Sequence, residues 1–211
     1  MNGSFATRGW QPLGWLALVL VFFGLEAKAQ PDYAPAHWVP VQCSKYYTSG
    51  FGRSFLVIHD MEGYYLTSIS YLNRCDLDTN GNYNVESSVH YLVNGVKNGS
   101  DEDGHNENDT SDAAAGDITQ SVRESRYAWH ARCLNKYSFG TEHEGFVSSP
   151  VWYTEAMYIA SAGLQRHLAD TYAVPKDRNH IIGHSEVPGA DHTDPGPLWD
   201  WDGYLELVNQ S

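Results

Sequence analysis

Phe55-Leu56-Val57-Ile58 is an unbroken apolar run that stops at His59. It is too short for a helix and lacks the apolar–polar alternation of a half-exposed strand, so it reads as a strand buried on both faces. Such a strand needs cover on either side of its sheet, and the rest of the chain supplies candidates. Residues 61–73 carry Met61, Tyr65, Ile69 and Leu72 at helical spacing. His90-Tyr91-Leu92-Val93 reads as a second strand with the turn dipeptide Asn94-Gly95 after it, and Ile118, Gln120 and Val122 alternate as a third. Ser149-Pro150 offers a capping hydroxyl and a first-turn proline for a helix that aligns Tyr153, Met157, Ala160, Leu164 and Leu168 and ends before Pro175. Ile181-Ile182 forms a last strand, and residues 200–208 a short terminal helix. The expected fold is a single α/β domain with one central mixed β-sheet flanked by helices.

The first residues stand apart from that domain. Arg8 precedes the apolar run Trp15–Leu25, and Ala27-Lys28-Ala29 supplies a small-x-small cleavage site before Gln30. That order predicts a signal peptide over residues 1–29, with a run too short for a comfortable membrane span. Residues 30–54 then form an N-terminal extension and 55–211 the main domain. The expected product is secreted or periplasmic, with no membrane anchor after cleavage. Removing residues 1–29 lowers the bases from 13 to 11 and the acids from 26 to 25, leaving a net charge of −14. Phosphate-rich partners would be repelled, so nucleic acid is excluded as a ligand class. Cys43, Cys75 and Cys133 are an odd set without a CxxC pair, consistent with one disulfide of unassigned pairing and one free thiol. A metal in this chain would therefore be held by nitrogen and oxygen.

The donors are visible. GHSEVPGADHTDPGPLWDW, residues 183–201, follows the last strand and carries His184, His192 and Asp194 between glycines and prolines that stiffen it. His59 and His184 both end strands and can face each other at one edge of the sheet. The loop would bring round a third ligand, His192 or Asp194. Two imidazoles and one further ligand, with a position left for water, make a catalytic zinc set. Glu142 and Glu144 in YSFGTEHEGF alternate to one face of a strand, with His143 pointing the other way, and either carboxylate would serve as acid–base partner.

FLVIH, SVHYLV, YAWHA, FGTEHEG and GHSEVPGADHTDPG occur in the order seen in the zinc-dependent N-acetylmuramoyl-L-alanine amidases of the type 2 class, a superfamily that includes phage lysozyme-type amidases and peptidoglycan recognition proteins. The chain resembles that family from about Phe55 to Trp201. The resemblance implies one zinc ion held by His59, His184 and Asp194, Glu142 as the catalytic carboxylate, and His192 as the group that stabilises the oxyanion. It implies cleavage of the amide joining the lactyl group of N-acetylmuramic acid to L-alanine, with peptidoglycan or muropeptides as partners. Tyr91 and His130 match its H-Y and A-W-H-A motifs as cleft and structural residues. Some phage-type members use Cys as third ligand and a Tyr before the second-strand His; here those positions are Asp194 and Val89, which favours the Glu-dependent version.

Two rival readings remain at this stage. One is a module that binds peptidoglycan without cutting it, the other a zinc hydrolase acting on a different exported amide. Separately, Asp76-Leu77-Asp78-Thr79-Asn80-Gly81 opens like a calcium loop, D-x-D-x-N-G, but its twelfth position is Ser87, with Glu86 one place early. An ordinary turn is the stronger expectation there, and calcium the weaker. Ser100–Asp117 holds seven acids and no base, the composition of a solvated loop that could border the substrate groove. Trp129, Trp199 and Trp201 are candidates for stacking on sugar rings or for packing.

Overall fold

The computed structural model describes residue 1 and residues 29–96 and 113–210. The expected leader, apart from its two ends, and most of the acidic stretch lie outside the described residues. The elements are β1 (His37–Trp38), β2 (Tyr46–Tyr47), β3 (Phe55–Asp60), α1 (Tyr65–Leu72), β4 (Tyr91–Val93), β5 (Ile118–Gln120), β6 (Tyr127–Ala128), β7 (Ser138–His143), α2 (Glu155–Tyr172), β8 (Ile181–Gly183) and α3 (Trp201–Asn209). Six strands form one sheet in the order β1-β5-β4-β7-β3-β8, and β2 pairs with β6 in a small second sheet. The β4–β5 pair is antiparallel and the other ladders of the large sheet are parallel. The sheet is mixed, as expected, and its central strands are buried on both faces.

Alternation along the strands separates two cores. Leu56, Ile58, Tyr91, Val93, Phe139 and Ile181 pack against α2 and α3, with Met157, Leu164, Leu168, Tyr204 and Val208 from those helices. Each large apolar side chain buried there contributes on the order of 2 kcal/mol. On the opposite face Leu92 and Val89 meet Tyr65 and Leu72 of α1, while Val57 and Ile182 meet Ala131 and Val187. That second face carries the site.

Three element boundaries differ from expectation. The helix predicted over 61–73 begins at Tyr65, because Met61 N donates to His143 O and Gly63 bridges Gly145, which extends the pairing beyond β3. Its N-terminus is capped from outside: Tyr65 N donates to a carboxylate oxygen of Glu144 at 2.9 Å. Ser149-Pro150 starts a single 3-10 turn over Pro150–Trp152 with no cap from the serine, and α2 begins at Glu155 with Thr154 Oγ1 accepting from Met157 N at 3.2 Å. Asn94-Gly95 makes no two-residue hairpin. Asn94 prolongs the β4–β5 ladder through Asp117 O and Gly116 N, and Gly95 N donates to Glu144 at 2.9 Å.

Residues 36–54 pack with the same body. β1 adds a parallel edge strand beside β5, and Cys43 is bonded to Cys75, just beyond α1. Cys133 is free and exposed. Lys45 is fully buried, and its ammonium donates to Leu72 O at 2.7 Å and Val85 O at 3.2 Å, tying this segment to the end of α1. The D-x-D-x-N-G segment folds as a turn: Asp78 Oδ1 accepts from Asn80 N and Asn82 N at 2.8 and 2.9 Å, and Asp76 is paired with Arg74. The calcium expectation finds no support there. Among the described residues no helix is long and apolar enough to cross a membrane.

Candidate metal centre

β3 lies between β7 and β8, and all three run parallel, so their C-terminal ends meet at one edge. His59 stands opposite Glu142 in the β3–β7 register, and His184 follows the Ile58–Gly183 pair of the β3–β8 ladder. Asp194 returns to this edge on the Gly/Pro loop. Gly183 permits that approach, since a Cβ there would lie 2.8 Å from Cδ of Pro195. The return is held by Ser185 N donating to Asp194 O at 3.0 Å and by the Tyr153 hydroxyl donating to Pro195 O at 2.8 Å.

One donor atom from each of His59, His184 and Asp194 lies within 4.8 Å of the others, and all three residues are buried. Nδ1 of His59 is 3.3 Å from Asp194 Oδ2, and Nδ1 of His184 is 3.1 Å from Asp194 Oδ1. Despite that proximity, His184 Nδ1 makes no hydrogen bond, and neither does the buried Oε2 of Glu142. Unpaired buried polar atoms cost about 1–3 kcal/mol each, so their convergence needs another group to justify it. Two imidazole nitrogens and a carboxylate oxygen are a donor set that fits zinc.

The electrostatics agree with that donor set. Burial pushes the Asp194 carboxyl up, but the His184 and His59 rings beside it outweigh that and hold the group below the carboxylate range. Burial lowers His59, against the opposing pull of Asp194, which leaves an imidazole able to offer a lone pair. Glu142 is raised well above its ordinary value, first by burial and then by the charges of Asp194 and Asp60. A carboxylate destabilised in this way is a better proton acceptor.

His192 does not enter the cluster. Its ring is 60% exposed, stacks on His184 at 4.6 Å and 19°, and keeps Nδ1 3.9 Å from Asp194 Oδ1. It faces a cleft of about 870 Å³ that His59, Glu142, His184 and Asp194 also line. All five residues that the family resemblance implies for the site therefore meet at one cleft. Glu144 is elsewhere: fully buried, it accepts from Tyr65 N, Gly95 N and Val96 N, so it is neither the base nor a surface carboxylate. His143 points into the opposite core, where its ring nitrogens meet His59 O and Ser161 Oγ at 2.9 and 2.7 Å.

His130 lies closer to the ligands than its motif alone conveyed, with Nδ1 3.0 Å from His59 Nε2. Of the tryptophans, Trp129 lines the cleft, Trp199 is buried against His143 and Tyr204, and Trp201 lies under the Arg178 guanidinium. Arg132 and Asp191 form an exposed ion pair at the cleft rim that the sequence did not single out. Asp60 was also missed. It is buried, has a carboxylate oxygen 2.9 Å from the Tyr153 hydroxyl, and is pushed by burial up to about 7. None of these three residues sits in a spacing pattern that would have marked it.

Comparison with known proteins places this geometry in a family. Residues 52–197 match the family described as N-acetylmuramoyl-L-alanine amidase. N-acetylmuramoyl-L-alanine amidase A of Achromobacter lyticus is 30% identical over 195 residues, covering 84% of this chain and 96% of that protein. The 1,6-anhydro-N-acetylmuramyl-L-alanine amidase AmpD of Escherichia coli strain K12 is 36% identical over 104 residues, which span 45% of this chain and 54% of AmpD. A crystal structure of a selenomethionine AmpD derivative superposes with a TM-score of 0.59 at 26% identity, over 83% of this chain and 95% of that one. The match runs through the strands that carry His59 and Glu142, the turn after β8 that carries His184 and the loop that carries Asp194, and the chain belongs to the N-acetylmuramoyl-L-alanine amidase family.

Proposed function

We propose that this chain is an exported, zinc-dependent hydrolase of the amide bond between the lactyl group of N-acetylmuramic acid and L-alanine in peptidoglycan or its muropeptides. The observation that carries the reading is the convergence of His59, His184 and Asp194 beside Glu142 under one open cleft. The activities of the two relatives supply the bond, since both act on the muramoyl–L-alanine linkage by name.

Nδ1 of His59, Nδ1 of His184 and a carboxylate oxygen of Asp194 would hold zinc. When bound, zinc supplies Lewis acidity that lowers the pKa of water to about 7. The protein performs the proton transfers. Glu142 takes a proton from the attacking water as its oxygen bonds to the lactyl carbonyl carbon. His192, exposed at the cleft, donates to the carbonyl oxygen as negative charge develops. The carbon–nitrogen bond breaks as Glu142 returns its proton to the L-alanine nitrogen, and the second water proton ends on the released amine, giving a lactyl carboxylate and an L-alanine ammonium. Glu142 lines the cleft, and its Oε2 has no hydrogen-bond partner to compete for a proton.

Export rests on the leader pattern of residues 1–29 and is supported by the Cys43–Cys75 disulfide, which suits an oxidising compartment. Residues 30–211, incubated with purified peptidoglycan, test the function. Wall fragments that bind the protein but keep every lactyl–alanine amide would return the chain to the recognition-module reading.

A further inference from the structure

His59 has two ring nitrogens, and only the unprotonated one can hold a metal. Nδ1 faces Asp194 and His184, while Nε2 lies 3.0 Å from Nδ1 of His130. His130 Nε2 is in turn 3.2 Å from Ser138 Oγ, and Ser138 Oγ donates to the backbone oxygen of Leu134 at 2.7 Å. The backbone carbonyl can only accept, and that fixes the direction of every bond before it. The serine proton goes to Leu134 O, so Ser138 Oγ accepts from His130 Nε2–H. A neutral imidazole carries one N–H, and here that N–H is Nε2 of His130, which donates to Ser138 Oγ. Its Nδ1 therefore carries a lone pair and accepts from His59 Nε2–H.

We propose that His130 is a positioning residue that holds His59 in the tautomer whose Nδ1 is free for the metal, through the chain His59–His130–Ser138–Leu134 O. This inference rests on the zinc reading above. Metal-ligating histidines commonly give their outer N–H to a carboxylate, a backbone carbonyl or water; here a second imidazole relays that role to a backbone carbonyl.

Two further features hold the relay in place. His130 N and Ala131 N both donate to Asn135 Oδ1, at 2.9 and 2.6 Å, which pins the backbone beneath the ring. Gly140 of β7 leaves room for the imidazole, since a Cβ there would lie 2.5 Å from both Cγ and Nδ1 of His130. Any other residue at 140 would push the ring off His59.

The test uses zinc affinity, measured by competition with a chromogenic chelator, together with the melting temperature of the metal-free protein. His130→Ala removes the acceptor and should weaken zinc binding about 10–100-fold. His130→Asn keeps an acceptor near Nδ1 and should recover most of that loss. In zinc-loaded parent protein, long-range proton–nitrogen spectra should show a slowly exchanging His59 Nε2 proton that exchanges fast in His130→Ala. Ser138→Ala leaves His130 in place but frees its tautomer, and should give a smaller loss of the same kind. A His130→Ala protein that binds zinc as tightly as the parent would overturn the inference while leaving the zinc site intact. So would equal losses in the Ala and Asn variants that track a fallen apo melting temperature, which would mean packing alone. A parent protein that binds no zinc would overturn the zinc reading and this inference with it.

Discussion

His59 and Glu142 are cross-strand neighbours in the parallel β3–β7 ladder, and both side chains project to the face that bears the cleft. The same pleat that directs the proposed metal ligand outward from β3 directs the proposed proton acceptor outward from β7. Asp60 and His143, one residue further on, pair in the same ladder and serve the opposite core. A shift of either strand by one residue would exchange the reactive pair for a structural one.

From that relationship, Glu142→Gln should lower kcat about 10²–10⁴-fold, the range associated with loss of general acid–base catalysis, while zinc content stays at the parent value. Turnover measured beside metal analysis checks this. A variant that loses zinc and activity together would make Glu142 a ligand or a support for one.

His192 predicts a different pattern. It is exposed and outside the donor cluster, so His192→Ala should leave zinc affinity and folding unchanged. Loss of one oxyanion donor should lower kcat about 10²–10³-fold with a smaller effect on KM. His192→Lys should restore most of the activity, and steady-state kinetics of the two variants separate a chemical role from a packing one.

Glu144 should matter for stability rather than chemistry. Its carboxylate satisfies Tyr65 N at 2.9 Å, Gly95 N at 2.9 Å and Val96 N at 3.2 Å, thereby joining α1 to the end of β4. Glu144→Ala leaves these donors without that acceptor and should cost about 3 kcal/mol or more. For a domain of this size that lowers Tm by roughly 6–12 °C. Glu144→Gln keeps one acceptor and should cost less, which thermal melts of both variants will show.

Two buried histidines predict acid sensitivity. His90 and His143 are both lowered from 6.5 to about 3, chiefly by burial. Between those values the unfolded chain binds protons at both sites that the native protein does not, so stability rises with pH across the window. It is fully present above pH 6.5 and declines as pH falls toward 3. Each site should cost on the order of 2–3 kcal/mol by pH 4. Urea unfolding at pH 7 and pH 4 measures the loss, and His90→Gln should flatten the dependence.

The central strand, the long helix and the donor residues were legible in the sequence because each has a local signature. Four apolar residues ending at a histidine mark β3, and the Gly/Pro loop after Ile181-Ile182 marks the turn that carries His184 and Asp194. Periodicity alone left the third ligand open between His192 and Asp194; the family resemblance favoured Asp194, and the structure places Asp194 among the donors with His192 at the lip. What escaped the sequence depends on distant partners. Glu144 looks like any strand-end carboxylate until Tyr65, Gly95 and Val96 turn their amides toward it. The start of α1 moved to Tyr65 because Met61 pairs with β7, a contact across 82 positions that helical spacing cannot register. Trp199 and Trp201 are equivalent as letters, yet one is packed in the core and the other lies under Arg178.

The most direct measurement of the central claim is product analysis by mass spectrometry after residues 30–211 act on purified peptidoglycan, with and without a chelator and with zinc restored. The account predicts free L-alanine amino termini and lactyl carboxylates, absent under chelation and regained with zinc. Cleavage at any other bond, or cleavage that persists unchanged after the metal is stripped, would contradict it.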